Sequence, residues 1–211
     1  MTKANIPLFK RKAFSILIDG IWDNNAIFGM VLGMCSSLAV TTKAANALVM
    51  AAAVVGVLVI SSLLISLLRN LIPDEIRIIV FMLVISTFVI TADFALKILV
   101  PDISRALGPY VGLIITNCIL MGRAEAYAIK NPPGYAVMDA LGSGLGYGAA
   151  ILVISLVREF LSAGSVFGLV LVPGWPSWGL AAIAPGAFFV LAALTMVFNL
   201  IRLKLKKKAG P

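Results

Sequence analysis

Two segments of the chain are alike: Gly29-Met-Val-Leu-Gly33-Met-Cys35-Ser-Ser-Leu38 and Gly112-Leu-Ile-Ile-Thr116-Asn-Cys118-Ile-Leu120. In each segment a glycine precedes a cysteine by six residues, and the chain of 211 residues holds two cysteines and no histidine. Thiolates are ligands for metal centres. Two thiols in matching apolar segments therefore favour a metal centre over a hydrolytic site.

The composition indicates an integral membrane protein. The chain is 61% hydrophobic and 12% charged, with a mean hydropathy of +1.07. A soluble domain of this size needs a more polar exterior. Several apolar runs approach or exceed the ~20 residues that cross a bilayer as a helix. We expect an all-α, polytopic protein with one integral membrane domain over residues 1–211.

Breaks in the apolar runs divide the chain into six candidate transmembrane spans. Pro73, Pro101 and the pair Pro132–Pro133 separate successive runs. A Gly/Pro/Trp segment over 164–176 leads to the last span, and Trp175 suits a membrane interface. The predicted spans are 26–42, 45–68, 76–97, 108–122, 136–157 and 180–202.

The distribution of basic residues predicts the orientation. With both termini inside, thirteen of the seventeen Lys and Arg residues fall on the cytoplasmic side. The positive-inside rule produces this bias, so the net charge of +8 is interpreted as a topology signal and not as a nucleic-acid surface. We expect residues 1–25 and 203–211 to be cytoplasmic.

The matching segments predict an inverted repeat. Cys35 and Cys118 are 83 residues apart, and Ser66-Leu-Leu-Arg69 is echoed by Ser155-Leu-Val-Arg158 at an offset of 89. Each unit, 26–97 and 108–202, then holds three spans, and an odd number makes the second unit enter from the opposite face. Residues 108–122 reach only about 22 Å as helix. Such short segments predict broken helices whose cysteines meet near the midplane.

Several interpretations of the cysteines are open from the residues alone. Each can pack as a small hydrophobic residue, and a mid-membrane disulfide is disfavoured. The absence of histidine excludes haem or copper sites that need imidazole from this chain. Thiolates favour an iron–sulfur cluster, which needs four ligands, so a second polypeptide has to supply two.

Longer segments resemble one family of membrane proteins. Leu32–Thr42 (LGMCSSLAVTT) and Gly112–Ala128 (GLIITNCILMGRAEAYA) carry the resemblance, and Arg69–Arg77 and Asp139–Gly148 match as well. They are similar to the D subunit of the sodium-translocating NADH:quinone reductase (Nqr) and to the E subunit of the Rnf ferredoxin:NAD oxidoreductase. The resemblance covers about residues 20–202.

The branch is chosen on smaller features. Val111–Asn117 and Asp93–Lys97 look more like the quinone reductase, whereas Ile72–Ile76 and Pro185–Phe188 lean towards Rnf. Ser143 stands where the quinone reductase protein usually has asparagine. We favour the quinone reductase and keep the Rnf-type protein as the alternative.

The resemblance implies that Cys35 and Cys118 bind half of an intramembrane [2Fe–2S] cluster. A sister inverted membrane subunit would supply two more cysteines, and other subunits would carry flavins. Electrons would cross the membrane between flavin and iron–sulfur sites. The chain would then be one component of a sodium-transporting translocase in the bacterial cytoplasmic (inner) membrane, without a complete active site of its own.

Three other features allow alternatives. Asp93 is either a cation-path carboxylate or an interfacial partner of Lys97, one helical turn away. Arg123 and Glu125 mark either a cytoplasmic entry or, as we favour, an anchor of the helix end. The glycine run 142–148 is interpreted as a close-packing face and not a nucleotide loop. Inverted repeats also occur in secondary transporters, so a transporter and a cofactor-free scaffold remain competing functions.

Overall fold

The fold consists of long helices interrupted by short ones. The computed structural model describes residues 15–18, 20–21, 25–99, 108–163, 165–166, 169–170 and 183–208. Its α-helices in these ranges are α1 (Met34–Val40), α2 (Ala44–Leu68), α3 (Arg77–Leu99), α4 (Val111–Ile115), α5 (Cys118–Arg123), α6 (Pro133–Ala163) and α7 (Ala184–Lys208). A 3-10 turn, Gly108–Tyr110, precedes α4, and a π-helical turn, Ala124–Ala128, follows α5. Residues 15–18 and 20–21 are also helical.

Four helices in the described part of the chain, α2, α3, α6 and α7, are long and apolar enough to cross a membrane. This confirms the helical membrane class but not the predicted count of six spans. The remaining two predicted spans, 26–42 and 108–122, contain turns and the short helices α1, α4 and α5. Two-residue strands Ser165–Val166 (β1) and Leu169–Val170 (β2) pair antiparallel, which the all-α prediction did not include.

Other predictions fall on residues that the structure does not describe. These are the basic residues before position 15, Pro101, Trp175 and most of the segment 164–176. The cytoplasmic position of both termini likewise stays a prediction.

Helices α2 and α6 form the centre of the fold and run antiparallel. At the start of α2 the Ala44 N–H donates to Glu159 Oε2 near the end of α6, at 2.8 Å. At the other end, Ser66 Oγ donates to the Asn131 carbonyl just before α6, at 2.6 Å. Lys43 precedes α2, and its side chain makes no capping hydrogen bond to the helix. Glu159 therefore supplies, from α6, an acceptor for one of the unpaired N–H groups at the start of α2.

The glycine run in α6 gives two close-packing faces. A Cβ added at Gly144 would lie 3.1 Å from Val55 Cγ2, and one at Gly148 would lie 3.2 Å from Ala51 Cβ, so this pair faces α2. Cβ atoms at Gly142 and Gly146 would each come within 2.7 Å of a backbone oxygen in the segment 17–20. The packing interpretation of this run is confirmed, since spacing by two yields two i, i+4 stripes.

Candidate metal half-site

The two cysteines meet between the broken segments. Cys35 is the second residue of α1 and Cys118 the first residue of α5. The Gly33 N–H donates to Cys118 Sγ at 2.8 Å. Cys35 follows Gly33 by two residues, so both thiols lie at this turn. The predicted approach of the two cysteines is therefore present in the single chain.

The half-helices α1 and α5 run in opposite directions from this meeting point. The far end of α1 contacts Arg158, near the C-terminal end of α6. The far end of α5 contacts Asp139, near the N-terminal end of α6. Tyr147 contacts residues at the starts of both half-helices. At 1.5 Å per residue, Tyr147 lies about 12 Å along α6 from Asp139 and about 16 Å from Arg158. The cysteines are therefore level with the middle of α6.

Backbone geometry explains why α1 starts where it does. Gly33 precedes the helix in the left-handed region, at φ +82°, which glycine adopts without steric cost. A Cβ there would also lie 2.6 Å from Tyr147 Cε2. Val31, two residues earlier, adopts φ +59°, an unusual and strained conformation for a β-branched residue. The turn before Cys35 is thus held in shape by its surroundings.

Asn117 starts the second half-helix by a different device. Its side-chain oxygen accepts a hydrogen bond from the Ile119 N–H at 3.3 Å, as an N-cap residue does. Its amide nitrogen donates to Ser36 Oγ at 3.2 Å, across to α1. One side chain therefore begins α5 and joins it to α1.

A buried polar cluster lies behind the cysteines and consists of Ser36, Asn117 and Tyr147. The hydroxyls of Ser36 and Tyr147 are 2.6 Å apart, and Asn117 Nδ2 lies 3.5 Å from Tyr147 Oη. All three residues are essentially inaccessible in the chain. Because buried polar groups destabilise a protein unless they are paired, this cluster links the two half-helices to α6 through specific contacts.

The far end of α1 is held by an arginine. Arg158 is 2% exposed, and its Nη1 donates to Thr41 Oγ1 at 2.6 Å and to the Leu38 carbonyl at 3.1 Å. It therefore satisfies an unpaired carbonyl at the C-terminal end of α1.

Arg123 closes α5 in a comparable way. Its Nε donates to Asp139 Oδ2 at 2.9 Å, and its Nη2 pairs with the other oxygen of the same carboxylate. Glu125 accepts a hydrogen bond from Arg77 Nη1 at 2.7 Å, which ties the π-helical turn to the start of α3. These contacts support the anchoring interpretation of Arg123 and Glu125.

The thiols remain accessible from outside the chain. Cys35 is exposed, Cys118 is half-buried, and Val31, in the turn before Cys35, is 58% exposed. Among the described residues, no group of three or more His, Cys, Asp and Glu side chains could hold a metal ion. A donor set of two thiols fits half of a four-thiolate cluster. The accessible side leaves room for ligands from another chain.

Asp93 lies apart from the cysteines. Its carboxylate pairs with Lys97 Nζ at 2.6 Å, and its side chain is 14% exposed. It lines a cavity of about 340 Å³ between α2, α3 and α4, whose other lining residues are apolar, among them Gly56, Phe88 and Ile114. The ion pair of the second interpretation is thus present, while the carboxylate also borders a cavity.

Sequence reasoning missed the polar cluster and the roles of Arg158 and Asp139. Signals for them exist in the sequence. Asn117 directly precedes a helix start, where asparagine is a favoured cap. Tyr147 stands in an apolar span, where a hydroxyl needs a partner. Arg158 enters the sequence argument only through the repeated Ser-Leu-x-Arg pattern.

The fold defines a polytopic helical membrane protein whose two broken segments bring Cys118 against the turn before Cys35. The sequence matches the family described as "Rnf-Nqr subunit, membrane protein" over residues 13–195. Over 186 residues it is 48% identical to the D subunit of the Na(+)-translocating NADH-quinone reductase of Yersinia enterocolitica, with 85% of this chain and 88% of that protein covered. The corresponding proteins of Yersinia pestis and Yersinia pseudotuberculosis are similar to the same extent. The chain therefore belongs to the Rnf-Nqr family of membrane proteins, as the resemblance predicted.

Proposed function

We propose that this chain is a membrane component of a sodium-translocating NADH:quinone reductase. In this proposal Cys35 and Cys118 hold half of a [2Fe–2S] cluster that passes electrons across the membrane. The observation that carries it is the convergence of two thiols from two oppositely directed half-helices. The 48% identity to the Yersinia quinone reductase proteins over most of the chain favours the quinone reductase over the Rnf-type alternative.

The residues present suit the cluster. Cysteine thiolates are the usual ligands of [2Fe–2S] centres, and four are required. The Gly33 N–H supplies a hydrogen bond to one of the sulfurs. Such bonds tune the potential of iron–sulfur centres. When bound, the cluster supplies a one-electron redox centre within the membrane.

The two missing ligands define the partner. A sister membrane subunit of inverted topology would present its own two cysteines to the accessible side of Cys35. Flavin-carrying subunits of the same complex would donate and accept the electrons. The proposed partners are thus other subunits and the lipid bilayer of the bacterial cytoplasmic membrane, with both termini of this chain cytoplasmic.

The inverted repeat is part of the proposal. The antiparallel arrangement of α2 and α6 supports it, as do the opposite directions of α1 and α5. Two units related by a pseudo-two-fold axis in the membrane plane would place a shared centre at the midplane. Transporters built from inverted repeats bind their substrates and ions at that depth. We assign 26–97 and 108–202 to the two units.

Iron content and low-temperature EPR of the intact purified complex test this function. Cys35→Ala and Cys118→Ala are each expected to abolish a [2Fe–2S] signal that the wild-type complex gives on reduction, and to lower the iron content by two per complex. Ser37→Ala is the matched control. It removes the Ser37 hydroxyl from α1, and the described hydrogen bond of that hydroxyl goes to the Met34 carbonyl within the same helix.

Two outcomes would overturn the cluster. One is a wild-type complex whose iron is accounted for by its other subunits. The other is a reduced complex whose [2Fe–2S] EPR signals are the same in both cysteine variants as in the wild type. Either outcome would favour the secondary transporter, since its architecture has the same broken helices.

A further inference from the structure

The polar cluster behind the cysteines has no role in the ligand set, yet its three residues are buried and mutually paired. We propose that Tyr147, acting through Ser36, is a positioning residue that orients the Gly33 N–H towards Cys118 and so raises the reduction potential of the centre held there. This inference rests on the proposed function, because it concerns the same pair of thiols.

The directions of the hydrogen bonds follow from the donor count. Ser36 has one hydroxyl hydrogen, which it donates to the Gly33 carbonyl at 2.9 Å. Its oxygen can accept two more bonds. One comes from Asn117 Nδ2 at 3.2 Å, so the contact of 2.6 Å with Tyr147 has the tyrosine as donor. Ser36 is then fully paired.

Both polar groups of Gly33 are used by this arrangement. Its carbonyl accepts from Ser36 Oγ at 2.9 Å and from the Ser37 N–H at 3.1 Å, and its N–H donates to Cys118 Sγ at 2.8 Å. The ring of Tyr147 packs against the same residue, since an added Cβ would lie 2.6 Å from Cε2. Glycine has more backbone freedom than other residues. Ser36 and Tyr147 therefore help to fix the backbone conformation at Gly33, and through it the direction of the Gly33 N–H.

The effect on a bound centre has a definite sign. Reduction adds negative charge to the sulfurs of an iron–sulfur centre, and an N–H donor stabilises that charge. Hydrogen bonds to the sulfurs are among the determinants of its potential. Weakening the Gly33 N–H···Sγ bond should therefore lower the potential while the two cysteine ligands stay in place.

The test is a redox titration of the EPR signal in the intact complex carrying Tyr147→Phe. This variant keeps the ring that packs on Gly33 and removes only the hydroxyl. We expect iron content to be unchanged and reduction to become about tenfold less favourable, a shift of ~59 mV to more negative potential for one electron. Ser36→Ala should shift the potential in the same direction. The double variant should shift it no further than the larger single shift, because both act through Gly33.

Tyr110→Phe is the matched control, because Tyr110 precedes α4 and its side chain is half-buried outside the cluster. It should titrate as the wild type does. Wild-type potentials in both Tyr147→Phe and Ser36→Ala, with iron retained, would overturn the positioning role. If Tyr147→Phe loses its iron, Ser36→Ala alone decides the question, since it leaves the tyrosine in place. A wild-type complex without the centre would instead reject the proposed function itself.

Discussion

The Gly33 N–H lies 2.8 Å from Cys118 Sγ, although 85 residues separate the two along the chain. This contact joins the turn before α1 to the first residue of α5. It depends on a left-handed conformation at Gly33 and on the Tyr147 ring that packs beside it. The geometry of the half-site is thus sensitive to residues that would not bind the metal.

Gly33→Ala should damage both the fold and the half-site. A Cβ in the left-handed region costs roughly 1–2 kcal/mol, and here it would also meet Tyr147 Cε2 at 2.6 Å. We expect a lower thermal midpoint of the detergent-solubilised complex and reduced iron content. Gly56→Ala is the control, because an added Cβ there has no atom within 4 Å and α2 should gain up to about 1 kcal/mol. Equal stability of the two variants would contradict this account of Gly33.

Arg158→Lys should loosen the far end of α1. Arginine Nη1 donates to both Thr41 Oγ1 and the Leu38 carbonyl, and an ammonium on a flexible stem does not reproduce this geometry. Losing one charged hydrogen bond costs about 1.5–3 kcal/mol. A chemical-denaturation or thermal assay of the complex should detect this loss. Arg69→Lys serves as control, since Arg69 is half-buried at the opposite end of the α2–α6 pair. A loss of the same size in both variants would argue against a specific role for Arg158.

Replacing one member of the Arg123–Asp139 pair should destabilise the complex more than replacing both. Asp139→Asn leaves a guanidinium buried beside a neutral partner, and breaking a buried pair costs about 3–5 kcal/mol. The double variant Arg123→Gln/Asp139→Asn should recover part of that loss, because no uncompensated charge remains. The yield and thermal midpoint of assembled complex measure both. Additive losses in the double variant would show that the two side chains are not coupled.

Much of the fold follows from simple patterns in the sequence. Apolar run length predicts α2 and α3 to within two residues at each end. Helices α6 and α7 each continue six residues past the predicted spans, so α7 includes most of the predicted tail 203–211. Pro73 and Pro133 stand at breaks between helices, as expected from the missing N–H of proline. The segments around Cys35 and Cys118 contain glycine and are short, which predicts that neither crosses the membrane as a single helix.

The contacts that shape the half-site are not predictable in the same way. Hydrophobic pattern reports which residues avoid water, but not which polar groups pair across 81 or 111 residues, as Ser36 does with Asn117 and Tyr147. The left-handed conformation at Gly33 lies against the Tyr147 ring of α6, a contact that no local pattern predicts. The use of Arg158 to close α1 likewise depends on contacts between residues far apart in the chain.

Asp93→Asn separates the two interpretations of this carboxylate, within the proposed sodium-translocating function. Asp93 borders an apolar cavity and pairs with Lys97 at 2.6 Å. If the carboxylate serves a cation path, the variant should raise the half-saturating sodium concentration for quinone reduction about tenfold, equivalent to ~1.4 kcal/mol. Lys97→Met is the matched comparison, because it removes the competing cation and keeps the carboxylate. It should leave that concentration unchanged or lower it. If both variants instead reduce only thermal stability, and by similar amounts, Asp93 is a structural ion-pair partner at the membrane interface.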